Sequence, residues 1–478
     1  MVQATKKKIG IETKVKRLLA DVYTPVGIYL RLRDRFRDTV LMESTDTHAA
    51  ENSYSFICIN AIGGIEVRDQ KTVETKLPNR NPEKTALTST DDLKDILWNY
   101  MQQFEVSSSE PGAAQFAQGL YGYFSFDIVP LIENIDFKPV TASPDAPSVP
   151  IARYRLYQYV IAINHHKDEL LLLENTIAGL ESEGEAVLSL INSKDVPQYP
   201  FRTASPETSN LSDEDYLEMV RSGIAGCLRG DVFQIVLSRR FQQDFTGDEF
   251  NVYRALRHIN PSPYLFFFDY GDYKLMGSSP EAQLVIKGNK AVVHPIAGTF
   301  RRTGEDAADA ESAKALLEDK KENAEHVMLV DLARNDLSTV CTNVQVSKYR
   351  QLHFYSHVIH LVSEVSGEIP SSANPFEILF KTFPAGTLSG APKYKALQTI
   401  NRLEPTERSF YGGAIGFTGF NGSCNHAIMI RTFLSKGNTL YYQAGAGVVA
   451  ASKPQSELEE VGNKLNALKA AVLMAETI

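Results

Sequence analysis

Two periods of apolar and polar residues divide this chain. Period two, the mark of a half-buried strand, predicts a strand at 28–33 (IYLRLR), and apolar or aromatic runs predict strands at 39–44, 53–59 and 119–127. Residues 154–163 and 169–174 read as a hairpin across 164–168. Further apolar runs predict strands at 231–240, 265–269, 273–276, 282–286, 291–294, 344–349, 357–365, 424–432 and 439–444. Helical spacing governs 93–104, 213–228 and 457–473, and above all 312–332, where Ala, Glu, Lys, Leu and Met dominate without Pro or Gly. Ser212 caps the second of these helices, acidic residues fill its first turn, and Gly230 ends it. Residues 75–92 and 138–150 read as loops. The polar, proline-bearing stretch 193–213 is the clearest linker. It divides the chain into an N-terminal region, residues 1–200, and a C-terminal region, residues 201–478, expected to pack as one intertwined unit.

The C-terminal region carries a pattern that plain strands do not need. Turns rich in Gly, Ser or Thr end or interrupt apolar strands at 277–280, 297–299, 385–390 and 445–447. Glycine lets backbone N–H groups approach a ligand, and consecutive turn amides cradle an anion. Each turn alone has an ordinary structural explanation. Together with Arg431, Lys393 and Lys464 they outline an anion pocket. Arg431 follows the apolar run Ile428-Met429-Ile430, so its charge needs a partner, either a structural carboxylate or a ligand. Carboxylates stand at Glu281 after a turn, Glu325 on the 312–332 helix and Glu460 on the last helix. Glu322, Glu325 and Leu329 fall on neighbouring ridges, which sets carboxylates beside an apolar stripe. Glu460 and Lys464 are four apart, which by itself means only a helix ion pair. Two glutamates that leave water positions open suit magnesium.

Composition narrows the field. A chain of 478 residues, 43% hydrophobic and 22% charged, is an ordinary globular protein of more than one core. A net charge of -9 argues against nucleic acid as the main partner. No apolar run reaches membrane-span length, and no apolar signal core follows the basic N-terminus. The expectation is a cytoplasmic protein without a membrane partner. Cys58, Cys227, Cys341 and Cys424 lie far apart and read as reduced, buried thiols. No Walker-type loop and no G-x-S-x-G elbow is present.

Taken in order, PIAGT (295–299), KENAEHVMLVDLARND (321–336), HLVSEVSG (360–367), FPAGTLSGAPK (383–393), YGGAIGF (411–417), AIMIRT (427–432), QAGAGVVA (443–450) and ELEEVGNK (457–464) resemble the chorismate-utilising enzymes. Within them the likeness is to the large subunits of anthranilate synthase, component I. LMES (41–44), YSF (54–56) and GLYGYFSFD (119–127) carry it more thinly into the N-terminal region.

The resemblance implies an α+β fold with two antiparallel sheet layers covered by helices. It implies amination of chorismate by ammonia, then loss of pyruvate to give anthranilate. Glu281 would be the general acid for the leaving hydroxyl, with His360 and Thr387 beside the reacting ring. Gln234, Ala297, Gly298, Thr299, Ala385, Gly386, Tyr411, Arg431, Gly445, Ala446, Gly447 and Lys464 would line the substrate, and Glu325 and Glu460 would hold Mg²⁺. Relatives that add water carry lysine where this chain has Gln234. Aminodeoxychorismate synthases of the covalent type carry lysine where it has Ala297. Direct attack by ammonia is therefore implied, with 4-amino-4-deoxychorismate synthesis as the alternative. Ammonia would come from a glutamine amidotransferase subunit, in a heterotetramer of two large and two small subunits. Glu43 and Ser44 with Pro261, Ser262, Pro263, Tyr264 and Leu265 resemble a feedback site for L-tryptophan, with residues 1–200 regulatory and partner-binding. Departures from the family pattern stand beside the motifs at Lys320, Ala451 and in TFRRTG (299–304), and Met42 stands within LMES where the family more often has Leu.

Overall fold

The computed structural model describes residues 8–44, 53–87, 92–133, 135, 137, 147–354 and 358–478. Its frame is antiparallel, apart from the parallel pair Ile9–Leu19 with Phe104–Ser107. The strand Ala152–Asn164 is the branch point. On one side it pairs with Tyr54–Val67, and the sheet continues through Thr39–Glu43, Tyr264–Asp269, Tyr273–Ser279, Thr432–Lys436 and Thr439–Val449 to Gln234–Gly247. On the other side it pairs with Gly119–Phe124, and a second sheet runs through Ala414–Gly419, Cys424–Ile428, Ala282–Lys287, Lys290–Val293 and Val358–Glu368 to Thr342–Phe354. Two ladders join residues before position 200 to residues after it: Thr39–Glu43 with Tyr264–Asp269, and Gly119–Phe124 with Ala414–Gly419.

The strand Tyr264–Asp269 shows why some runs are apolar throughout. Phe266 and Phe268 point into a core between the sheets, with Val40, Tyr157, Ile415, Ala427 and Leu434. Leu265 and Phe267 point the other way, under the helices Pro25–Leu32, Asp213–Leu228, Phe250–Ile259 and Pro454–Ala475. A strand buried on both faces loses its alternation. The outer face of the second sheet packs Leu120, Phe124 and Leu284 against Leu97, Val330 and Leu379 from the helices Asp92–Met101, Lys320–Ser338 and Pro375–Thr382. Helices thus cover both antiparallel layers, as expected. All four cysteines are free and buried. Among the described residues no helix is long and apolar enough to cross a membrane.

Several local expectations are corrected. Residues 28–33 are not a strand: Thr24 caps a helix at Gly27 N, and Pro25 opens it at the first turn. The 312–332 helix is two helices, Asp306–Glu318 and Lys320–Ser338. Asp319 leaves helical geometry between them, and its carboxylate accepts from the amides of Lys321 and Glu322. The strand at 424–432 ends at Ile428, and Arg431 adopts φ +50 before a new strand begins at Thr432. The 75–92 loop holds the strand Glu83–Ala86, and its residues 88–91 lie outside the described residues, as do 138–146 of the other loop. The linker holds the short strands Phe201–Thr203 and Thr208–Ser209, both paired with Gln234–Gly247. The expected helix at 213–228 is present as read, with a full capping box at Ser212 and Asp215.

Candidate active site

Glu281 sits in the two-residue break between Tyr273–Ser279 and Ala282–Lys287, with its carbonyl accepting from the Ile428 amide at 3.0 Å. Thr387, on the 3-10 turn Gly386–Leu388, comes within hydrogen-bond distance of both carboxyl oxygens, at 3.2 and 3.3 Å. Protein surrounds the Glu281 carboxyl, although some of its surface still faces the cleft. Burial pushes it up to about 8, against the opposing pull of the Thr387 hydroxyl, Arg431 and Lys464. At neutral pH it holds its proton.

Arg431 is the facing cation. Its left-handed backbone is fixed where its carbonyl accepts from the Ser278 amide at 3.1 Å. Burial depresses it, and the charge of Glu281 opposes this. Among the described residues it forms no ion pair within hydrogen-bonding range. A part-buried guanidinium left in this state is ready for a ligand carboxylate.

His360 lies on Val358–Glu368, opposite Thr299. Its Nδ1 is 2.8 Å from the Gly298 carbonyl, so Nδ1 carries the hydrogen, and burial holds the ring neutral. That carbonyl is aimed by a bulge between Ala297 and Thr299, where Gly298 adopts φ +72 and a Cβ would meet Leu316 at 2.6 Å. The side chain of Thr299 lies outside the described residues. Gly386 allows the Thr387 turn to rest on the helix Lys320–Ser338, since a Cβ there would come 2.2 Å from Leu332.

The remaining wall comes from Thr439–Val449 and the last helix. Lys464 Nζ donates to the Gly445 carbonyl at 2.9 Å and pairs with Glu460 at 2.7 Å. The Tyr411 hydroxyl lies beside Gly445, where a Cβ would sit 3.1 Å from it. Gly447 leaves room for Gln234, whose Nε2 would be 2.6 Å from a Cβ there. Gln234 is buried, and its amide donates toward Glu325 Oε1 at 3.4 Å. Ala297 is buried opposite Leu361, and Ala446 opposite Leu237. Ala385 begins the turn that carries Thr387 and, with it and Gly386, lines a cavity of about 40 Å³ under Glu281.

Glu325 and Glu460 approach from two helices, and Glu322 joins them. Burial raises the Glu322 carboxyl, and repulsion from Glu325 and Glu460 raises it further. Among the described residues no three His, Cys, Asp or Glu side chains group closely enough to hold a metal unaided. Two protein carboxylates with a ligand carboxylate and waters would suffice for Mg²⁺, which keeps much of its hydration.

The residues expected to form an inhibitor site gather elsewhere. Glu43 stands opposite Leu265 in the ladder and accepts from Tyr253 Oη at 2.7 Å and Arg257 Nε at 2.9 Å. Ser44 follows directly, and Pro261 to Tyr264 form the turn into the same strand. Ser262 Oγ donates to the Ser279 carbonyl at 3.0 Å, two residues from Glu281. A larger cavity, about 250 Å³, is lined by Asp127, Asn401, Glu407 and Arg408 and by none of the expected site residues, so chemistry rather than volume locates the site.

Sequence reasoning passed over Glu404 and Arg408, a buried ion pair at 2.6 Å. Their only signal was a spacing of four, and that spacing is not helical here, because the helix Lys393–Leu403 has already ended. Lys393, expected in the anion pocket, instead pairs with Asp336 at 2.7 Å and ties the Thr387 loop to the Glu325 helix.

Comparison with known proteins shows the family. The profile of the family described as chorismate binding enzyme matches residues 55–470. The chain is 36% identical to anthranilate synthase component 1 of Geobacillus stearothermophilus, over 97% of this chain and 94% of that protein. It is 33% identical to the component 1 of Aquifex aeolicus, over 96% and 94%. The crystal structure of anthranilate synthase component I from Streptococcus pneumoniae superposes with a TM-score of 0.73 at 30% identity, covering 95% of this chain and 99% of that one. The menaquinone-specific isochorismate synthase MenF of Escherichia coli shares the fold, with a TM-score of 0.72 at 18% identity over 98% and 96% of the two chains. The chain belongs to the chorismate-binding enzyme family.

Proposed function

We propose that this chain is the large subunit of an anthranilate synthase, turning chorismate and ammonia into anthranilate, pyruvate and water in tryptophan biosynthesis. The observation that carries the reading is the pairing of a protonated Glu281 with an Arg431 that lacks an ion-pair partner among the described residues, in a site without lysine at 234 or 297. A neutral carboxyl gives its proton to the departing ring hydroxyl, which leaves as water. Ammonia forms the new C–N bond at the ring carbon beside the carboxylate, since Gln234 and Ala297 offer neither a lysine base for water nor a lysine nucleophile. Loss of the ring proton and of the enolpyruvyl arm as pyruvate then makes the ring aromatic. His360, neutral with Nδ1 bound to the Gly298 carbonyl, stands beside the reacting ring in this reading. Arg431, Tyr411, Lys464 and the Gly445–Gly447 backbone hold carboxylates.

Mg²⁺, held by Glu325 and Glu460, would orient the ring carboxylate and neutralise its charge. A glutamine amidotransferase subunit supplies ammonia in a heterotetramer of two large and two small chains, in the cytoplasm. Residues 1–200 serve regulation and partner binding, residues 201–478 catalysis. L-tryptophan binds between Glu43–Ser44 and the 261–265 turn, and inhibits.

The test is incubation of the purified chain with chorismate, ammonium and Mg²⁺. Anthranilate and pyruvate are expected in equal amounts. Accumulation of 4-amino-4-deoxychorismate, or of isochorismate, would replace this reading.

A further inference from the structure

The Arg408–Glu404 pair is among the most enclosed charges of the molecule, with side chains 1% and 5% exposed. Burying an ion pair so completely is a poor source of stability, because the desolvation of both charges offsets their attraction. What distinguishes this pair is where its hydrogen bonds go. Arg408 Nε and Nη2 both donate to Glu404, at 2.8 and 2.6 Å. Nη1 donates to the Leu388 carbonyl at 2.6 Å, and Nη2 also donates to the Val236 carbonyl at 2.8 Å. Glu404 Oε1 accepts from both the amide and the hydroxyl of Ser238, each at 2.8 Å.

These partners belong to two walls of the site. Leu388 follows Thr387 directly. Val236 and Ser238 lie on the strand that begins at Gln234 and pairs with Gly445–Gly447. The loop and the strand are joined by a short ladder, Gln234 with Ala391 and Ile235 with Gly390, and by the Val236 amide bound to the Ser389 carbonyl at 3.0 Å. At Leu388 the loop turns away into the Thr387 turn and the ladder stops. Arg408 spans the gap at that point. Its guanidinium is planar and rigid, so two carbonyls on one plane fix their separation. It is packed between the rings of Phe126, 4.6 Å from the centroid, and Tyr411, 5.8 Å away.

We propose that Arg408, oriented by Glu404, is a positioning residue for catalysis. It sets the distance between the wall that presents Thr387 to Glu281 and the wall that carries Gln234 and the Gly445–Gly447 backbone. Neither side chain is placed against substrate. The inference rests on the anthranilate synthase reading, and wild-type turnover of chorismate with ammonium tests that reading separately.

The test compares Arg408→Lys with wild type, alone and in a Thr387→Ala background. Lysine keeps the charge beside Glu404 but cannot hold both carbonyls in one plane. For a displacement of this kind kcat is expected to fall about 10-fold, with a smaller change in the KM for chorismate. In the Thr387→Ala background the same change is expected to cost less than about 2-fold, because the group being positioned is gone. Equal losses in the two backgrounds, or kcat within about 2-fold of wild type for a folded Arg408→Lys, would overturn the proposal. If Arg408→Lys does not fold, Ser238→Ala decides, since it cuts only the hydroxyl bond to Glu404 and the one from Gln443. It is expected to lower kcat about 3-fold in wild type and not in Thr387→Ala, and equal effects would again count against positioning.

Discussion

Thr387 Oγ1 stands 3.2 and 3.3 Å from the two carboxyl oxygens of Glu281, and no other side-chain hydrogen bond to that carboxyl is found among the described residues. One weakly donating hydroxyl is too little to keep an enclosed carboxylate ionised at neutral pH. Burial wins, and the group titrates at about 8.

A pH profile follows from that balance. As the proposed general acid, Glu281 must hold its proton, so kcat is expected to fall as pH rises through about 8. Glu281→Gln is expected to lower kcat by about 100-fold or more. Stability runs in a related sense. Between the ordinary value of 4.5 and about 8 the unfolded chain has released this proton and the folded chain has not, so folding loses stability as pH rises across that window. Glutamine removes the effect. The difference in Tm between Glu281→Gln and wild type should therefore grow in favour of the variant from pH 5 to pH 8. A flat difference would place the titration elsewhere.

Arg431 should govern binding more than the chemical step. It has no protein ion-pair partner among the described residues, and in the proposed reading its charge serves the substrate. Arg431→Met is expected to raise the KM for chorismate by about 100-fold, the loss of one buried charge-assisted contact, with a smaller change in kcat. Arg431→Lys should recover only part of this, because a point charge does not reproduce a planar fork. Calorimetric titration with chorismate would read the same order of affinities without turnover.

Much of this site is legible in the sequence because its chemistry is written in local motifs. Glu281 and Thr387 stand beside glycine or proline turns and Lys464 on a helix of clear period, and such signals are read without knowing the fold. The frame is harder. Residues 28–33 alternate like a strand, yet Thr24 and Pro25 start a helix, so a cap outweighs a six-residue period. The apolar run before Arg431 reads as one continuous strand, whereas the left-handed backbone of Arg431 separates two strands and aims the side chain into the cleft. A single φ of that sign leaves no mark in hydrophobicity. Arg408 and Glu404 escape notice for a different reason. Apart from the Ser238 hydroxyl, their partners outside the pair are carbonyls and an amide of residues 236, 238 and 388, and main-chain groups are the same in every sequence.

The proposed inhibitor site offers a separation of effects. Glu43 is buried under Tyr253 and Arg257, on the strand that pairs with Leu265, and its hydrogen bonds to those two side chains reach neither Glu281 nor Arg431. Glu43→Gln keeps the size of the side chain and one acceptor while removing the charge. Turnover without tryptophan is expected to stay within about 2-fold of wild type, while the tryptophan concentration for half-inhibition rises about 10-fold or more, as for loss of one charge-assisted contact. Equal inhibition of variant and wild type would move the tryptophan site away from this ladder.

The metal assignment makes the strongest demand on two residues that the fold brings from opposite helices. Glu322 feels repulsion from both Glu325 and Glu460, so the three carboxylates share one neighbourhood, and Lys464 neutralises only one of them directly. A divalent cation relieves that repulsion, and a carboxamide at either position lowers the demand for one. Chelation of Mg²⁺ is therefore expected to stop turnover, and Glu325→Gln and Glu460→Gln should each raise the Mg²⁺ needed for half-maximal rate by about 10- to 100-fold. The two explanations for lost activity, a missing metal and a disturbed helix, separate in a melting experiment. Mg²⁺ with chorismate should raise the Tm of wild type, as any ligand of the native state does. In Glu325→Gln the Tm without ligand should match or exceed that of wild type, since one repelling charge has gone, while the rise on adding Mg²⁺ and chorismate should be largely lost. A variant that keeps the full ligand-induced rise would remove Glu325 from the metal site.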